Sequence, residues 1–142
     1  IKQNRVVLVC PLETNASSLC WPTSGSPTPC CGRNWGNGTL VWIDRDNDDV
    51  VDTPPNVPPA QNEIIRVTAA TSGNSVTAIK QGTSTAIART GFISSGNTTS
   101  WDFSRNSVNT PVVYTVCNSQ THHSRTLTLN PVGYLRTAAG HC

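Results

Sequence analysis

Methionine is absent from the 142 residues, and only 13% of them are charged. With no initiator residue, the chain is expected to have lost an upstream segment. A net charge of +2 is too weak to specify a polyanionic partner by itself. No stretch approaches the roughly 18 apolar residues of a membrane-spanning helix, and no signal peptide is visible. There is no G-x-S-x-G elbow, no Walker loop and no G-x-G-x-x-G. Glutamate occurs only as Glu13 and Glu63, far apart in sequence, and histidine three times, two of these adjacent. His122 and His123 read as solvated turn residues rather than acid–base catalysts. The expectation is a protein that is not an enzyme.

What is there instead is Thr, Ser and Asn, with ten glycines and ten prolines. That composition favours many short strands joined by turns, an all-β domain of ordinary single-domain length spanning residues 1–142. The run RVVLVC at 5–10 reads as a buried strand ended by Pro11. Residues 11–38 read as a loop, and 39–43 (TLVWI) as the next strand. An acidic and then proline-rich connection over 44–61 leads to a strand at 62–68. Short strands follow near 75–80, 85–93 and 98–103. Residues 111–117 and 124–130 read as antiparallel partners turning through Asn118–His123. Thr126, Thr128 and Asn130 alternate with Leu127 and Leu129, the period of a half-buried strand. Pro131-Val132-Gly133 reads as a turn, and Tyr134-Leu135-Arg136 as a short returning edge strand. No long amphipathic helix appears.

Six cysteines, Cys10, Cys20, Cys30, Cys31, Cys117 and Cys142, imply disulfides and an oxidising, extracytoplasmic compartment. Zinc is disfavoured: the chain has no C-x-x-C, Cys30 and Cys31 are adjacent, and the histidine pair lies far off.

The acidic loop is the sharpest local chemistry. Asp44, Asp46, Asp48 and Asp52 are spaced as oxygen ligands for a hard cation such as Ca²⁺. Two features depart from a calcium loop: Asp49 stands where a turn glycine is usual, and Pro55 where the bidentate Glu would be. The alternative is a solvated loop with Asp and Asn as turn formers. Three N-x-[ST] sequons, at Asn15, Asn37 and Asn97, are as many as chance supplies in such a composition. Arg125, Arg136 and His141 are expected to gather on one edge as a weak phosphate-binding group, or to be ordinary surface residues. Trp21, Trp35 and Trp101, read as exposed aromatics, support a third possibility, a secreted adhesin or carbohydrate-binding β-domain.

One ordered arrangement is more informative. It runs Arg5-Val6-Val7-Leu8-Val9-Cys10-Pro11, a Cys-bearing loop, Asn34-Trp35-Gly36-Asn37-Gly38, then Leu40-Val41-Trp42-Ile43-Asp44-x-Asp46-x-Asp48. Glu63-Ile64-Ile65-Arg66 follows. The end comprises Tyr114-Thr115-Val116-Cys117, Arg125-Thr126-Leu127-Thr128-Leu129 and Gly133-Tyr134-Leu135-Arg136. This order resembles the heads of type IV pilin-like proteins of the GspH/FimT family, over nearly the whole chain. The resemblance implies a pilin-like head of antiparallel sheets whose prepilin leader and hydrophobic N-terminal helix are absent from these 142 residues. It implies a minor pilin that supports type IV pilus assembly by priming or at the tip. Alternatively it implies a DNA-binding minor pilin for natural transformation, or a type II secretion pseudopilin of the GspH kind. The partners would be other minor and major pilins, with the inner-membrane assembly machinery reached through the helix. The location would be the periplasm and inner membrane, then the pilus or cell surface.

DNA-binding members use a terminal Gly-Arg-x-Arg motif. Here Gly133 and Arg136 match, but Tyr134 replaces the first arginine, and Arg125 is expected to compensate from the neighbouring strand. Six cysteines exceed the family's sparser pattern. The preferred pair is Cys117–Cys142, pinning the tail to the penultimate strands. Cys10, Cys20, Cys30 and Cys31 would form the other two bridges locally, and a direct Cys30–Cys31 bridge would be strained.

Overall fold

The computed structural model describes residues 6–13, 30–46, 48, 50–54 and 57–142. Among these, eleven strands form two antiparallel sheets, and the only helices are two single 3-10 turns. The first sheet is built around β1 (Val7–Glu13). On one side lie β3 (Gly38–Ile43) and then β4 (Ile64–Ala69). On the other lie β6 (Ile87–Phe92), β7 (Thr98–Asp102) and β8 (Ser107–Val108), while the two-residue β2 (Cys30–Cys31) pairs the end of β1. The second sheet has the order β11-β10-β9-β5, from β5 (Asn74–Lys80), β9 (Val112–Asn118), β10 (His123–Leu129) and β11 (Leu135–His141).

Side-chain alternation divides the first sheet into two apolar faces. Leu8, Cys10 and Leu12 of β1 join Leu40 and Trp42 of β3 in one buried cluster. The opposite face presents Val9 and Ile87 towards the second sheet. There they meet Ala78, Val108, Val112 and Trp35 in a second cluster, with Val76 and Tyr114 packed against it. Because β1 is central and apolar on both faces, its sequence reads as a continuous apolar run rather than an alternating one.

Trp35 is the piece that joins the sheets. Asn34 caps the 3-10 turn Trp35–Asn37, its side chain accepting from the Gly36 N–H at 2.8 Å. The turn seats the indole between the sheets, edge-on to Tyr114 at 5.3 Å between ring centroids. The indole Nε1–H donates to the Ile87 carbonyl at 2.8 Å. Gly38 then leaves the turn at φ 110°, and a Cβ there would stand 2.1 Å from the Thr68 carbonyl oxygen of β4. The Trp-Gly-Asn-Gly sequence is therefore a packing device. Trp35, expected to be exposed, is buried. Trp101 is half-buried, and Trp21 lies outside the described residues.

A second link between the sheets is polar. Thr90 of β6 and its cross-strand partner Ser100 are both buried and hydrogen-bond each other at 2.9 Å. The Thr90 hydroxyl also bonds the Tyr114 hydroxyl of β9. Buried hydroxyls that satisfy one another cost little, where one orphan would cost about 1–3 kcal/mol. Burial pushes the Tyr114 phenol above its usual range, against a lowering by the Thr90 bond.

β1 does not stop at Pro11, as the proline suggested, but runs on to Glu13. The last β1–β6 pair is Val9–Thr90 and the first β1–β2 pair is Leu12–Cys31. Pro11 falls where β1 exchanges partners, so its missing N–H leaves no gap in that ladder, and its carbonyl accepts from Gly32 N–H at 2.7 Å. The 11–38 loop is accordingly interrupted by β2 and the Trp35 turn, while residues 14–29 lie outside the described residues.

The expected β9–β10 pairing is present, with Ser124 opposite Cys117 and Leu129 opposite Val112. β11 returns after the Pro131–Gly133 turn and is longer than expected, pairing β10 from Leu129–Leu135 to His123–His141. Gly133, at φ 93°, is demanded locally, because a Cβ there would stand 2.1 Å from the Gly96 carbonyl oxygen.

Cys10–Cys31 and Cys117–Cys142 are disulfides, and Cys30 is disulfide-bonded as well. Cys20 lies outside the described residues. Every residue of β11 is exposed, so apolar burial holds this strand weakly. Its far end is held by the bridge and by the Cys142 N–H on the His122 carbonyl at 2.8 Å. The Cys117→Ser/Cys142→Ser double variant should therefore lose about 3 kcal/mol in urea unfolding, the share expected for closing a loop of this length. Hydrogen exchange should show β11 and its β10 partners losing protection while β5–β9 amides keep theirs.

Candidate functional site

The acidic connection is organised by a residue inside the first sheet's edge. Glu63, just before β4, is buried at 2% exposure. Its Oε1 accepts from the Arg45 N–H, and its Oε2 accepts from the Asp52 N–H at 3.0 Å. The Glu63 backbone spans the same gap, donating to the Asp52 carbonyl at 2.8 Å and accepting from Ile43 N–H at 2.9 Å. One side chain thus ties the exit of β3 to the far end of the loop. A carboxylate suits the task because it offers only acceptors to two backbone donors.

Around this clasp the aspartates converge. Asp44, Asp46 and Asp48 each bring a carboxylate oxygen within 4.8 Å of the others, and Asp46, Asp52 and Glu63 form a second such group. A cavity of about 230 Å³ opens among Arg45, Asp46, Asp52, Ala60, Gln61 and Glu63. The four aspartates expected to act together are therefore neighbours. Glu63 belongs with them, although it lies eleven positions beyond Asp52 and in no spacing pattern with the aspartates. The donor set is all oxygen, the chemistry of a hard cation. Asp48 also shows the plain loop role, its Oδ1 accepting from Val50 N–H at 2.9 Å. Partial burial, and then the charges of Glu63, Asp48, Asp46 and Asp44, raise the Asp52 carboxyl above its ordinary range.

The C-terminal trio does not assemble. Arg125 is directly opposite Ala139 in the β10–β11 ladder, and Arg136 opposite Thr128. Alternation puts Arg125 on the face of Leu127 and Leu129, and Arg136 on the other face with Thr126 and Thr128. Arg125 therefore cannot stand in for the arginine replaced by Tyr134. Tyr134 is 76% exposed and sits beside exposed Val132 and Leu135 at the β10–β11 turn. His141 stacks on His123 across the same strand pair at 5.2 Å, on Arg125's face and away from Arg136. A separate cleft of about 380 Å³, lined by Val9, Trp35, Val76, Tyr114, Val116 and Leu127 among others, opens between the sheets.

The fold class is a disulfide-braced, mainly β domain of two antiparallel sheets. No family model, no curated protein and no solved structure matches the chain.

Glu63→Gln should destabilise the domain by roughly 2 kcal/mol, because the amide sets an N–H₂ against one of the two backbone donors. Asp52→Asn should do the reverse. Its raised carboxyl pKa means that the folded state holds the proton more tightly than the unfolded chain, so Asp52 costs stability as pH rises through the folded value. The variant should melt higher than the parent at about pH 7 and converge with it near pH 3. A parent that melts higher at neutral pH would contradict the repulsion.

Proposed function

We propose that this domain is the head of a minor pilin, which supports type IV pilus assembly through protein–protein contacts and carries out no reaction. The observation that carries this reading is the exposed apolar group at the β10–β11 turn. Val132 and Leu135 are each 58% exposed beside Tyr134, on an edge strand whose outer side pairs with no other strand among the described residues. Such a group on a polar, weakly charged domain marks a contact surface. Disulfides at both ends of the chain's β-framework suit a rigid extracytoplasmic subunit. The ordered likeness to GspH/FimT heads supplies the type of assembly. In proteins of that kind an N-terminal helix anchors the head in the inner membrane and then in the fibre core. A type II secretion pseudopilin is the same reading in a different machine.

The Tyr134→Ala/Leu135→Ser variant of the full-length protein tests this in cells of the source bacterium. The melting temperature of the isolated head should change little, since both side chains are exposed. Surface pili counted by electron microscopy should fall several-fold. Normal piliation with a normally folded variant would remove this surface from the account.

A further inference from the structure

All three histidines of the chain lie at one end of the second sheet, and two of them face each other there. His123 opens β10 and His141 closes β11, directly opposite in the ladder. Residues so placed project from the same face of a sheet, with Cβ atoms about 5 Å apart. The two imidazoles stand 5.2 Å apart between centroids, inclined at 40°. Both residues are exposed, and among the described residues no hydrogen bond or ion pair engages either ring. The nitrogens of a neutral imidazole are the commonest metal ligands in proteins.

A cation about 2.0–2.1 Å from one nitrogen of each ring, at a tetrahedral angle, sets the ring centroids about 5 Å apart. The observed spacing already matches, so the strands need not move to bring both imidazoles onto one ion. The backbone around the pair is fixed. One residue beyond His141, the Cys142 N–H donates to the His122 carbonyl at 2.8 Å, and Cys142 is bridged to Cys117 of β9. On the preceding rung Gly140 faces Ser124, and a Cβ on that glycine would stand 3.0 Å from the Ser124 Oγ, so the strands approach closely there. His122 stands in the turn at φ 58°, outside the ladder. On this face of β10 and β11 the charged side chain is Arg125, two positions along from His123. It is exposed, so water and salt screen its repulsion of a cation.

We infer that His123 and His141 chelate a borderline transition-metal dication such as Zn²⁺, which clamps the end of β11 onto β10. The ligands set the class of ion: imidazole suits Zn, Cu and Ni, whereas the all-oxygen group at the β3–β4 connection suits a hard cation. Two ligands from the chain leave the remaining positions to water, so this is an open site rather than a closed cysteine site. Once one imidazole holds the ion, the second binds it intramolecularly, an advantage on the order of 10²–10⁴. The strand that gains is the one apolar burial holds weakly, since every residue of β11 is exposed. The site does not rest on the pilus reading.

The experiment uses the oxidised 142-residue chain, first stripped of metal with a chelator. Zn²⁺ is titrated while the imidazole proton resonances are followed by NMR, and melting is recorded with and without the ion. The expected result is a saturable shift of the His123 and His141 rings together, a higher melting temperature, and slower amide exchange at the His141 end of β11. Affinity should fall about 100-fold in His123→Gln and in His141→Gln alike, and the gain in melting temperature should vanish. Both side chains are exposed, so the metal-free variants should melt with the parent. His122→Gln should bind as the parent does, and excess Ca²⁺ should leave the shifts unchanged. The inference is overturned if the two rings do not saturate together, or if either single variant keeps the parent's affinity. Binding lost in His122→Gln but kept in His141→Gln assigns the adjacent histidines instead, and displacement by Ca²⁺ assigns the acidic connection; either result overturns it.

Discussion

The placement of the Trp35 indole between the two sheets is the constraint on which the rest depends. Burying that ring contributes on the order of 4–5 kcal/mol of transfer free energy. Its bond to Ile87 and its edge contact with Tyr114 fix where β6 and β9 lie relative to each other. Without it, the second cluster would lose its largest member. The Ser100–Thr90–Tyr114 hydroxyl chain would also have no reason to close. The residues around Trp35 serve its position: Asn34 caps its turn, and Gly38 lets the chain enter β3 hard against the Thr68 carbonyl of β4.

With the sheets fixed, polar chemistry is pushed to the periphery of the first sheet. At the exit of β3, Glu63 clasps the acidic connection and concentrates carboxylates there. On its outer face, the Cys10–Cys31 bridge and the Asp102 turn bring arginines together over aromatic rings. The second sheet contributes an exposed strand instead, held at its tip by Cys117–Cys142. A net charge of +2 conceals this separation of sign.

Much of the framework was legible because it follows from local rules. Leu127 and Leu129 alternating with threonines, and Pro131-Val132-Gly133 after them, specify the β9–β10–β11 meander. The terminal cysteine paired as expected because β11 runs back along β10 to the β9–β10 turn, where Cys142 meets His122 beside the end of β9. The rest depended on pairings that no local pattern contains. Pro11 looks like a strand end unless one knows that β1 changes partner there. Trp35, between Asn34 and Gly36, looks like a loop aromatic until a second sheet is set against it. Arg125 and Arg136 appear to be neighbours, but a register one residue different decides whether they share a face. Glu63 and the arginines at 33, 89 and 105 come together only through the sheet order.

The proposed role is that of a subunit in a surface fibre. The most direct measurement is quantitative mass spectrometry of fibres sheared from the source cells, together with complexes captured from their membranes on the tagged protein. In that role, peptides of this chain are expected in the fibre fraction at low stoichiometry, and pilin subunits should be co-captured from the membrane. Absence from the fibre, with no pilin subunit in the captured complexes, would contradict it.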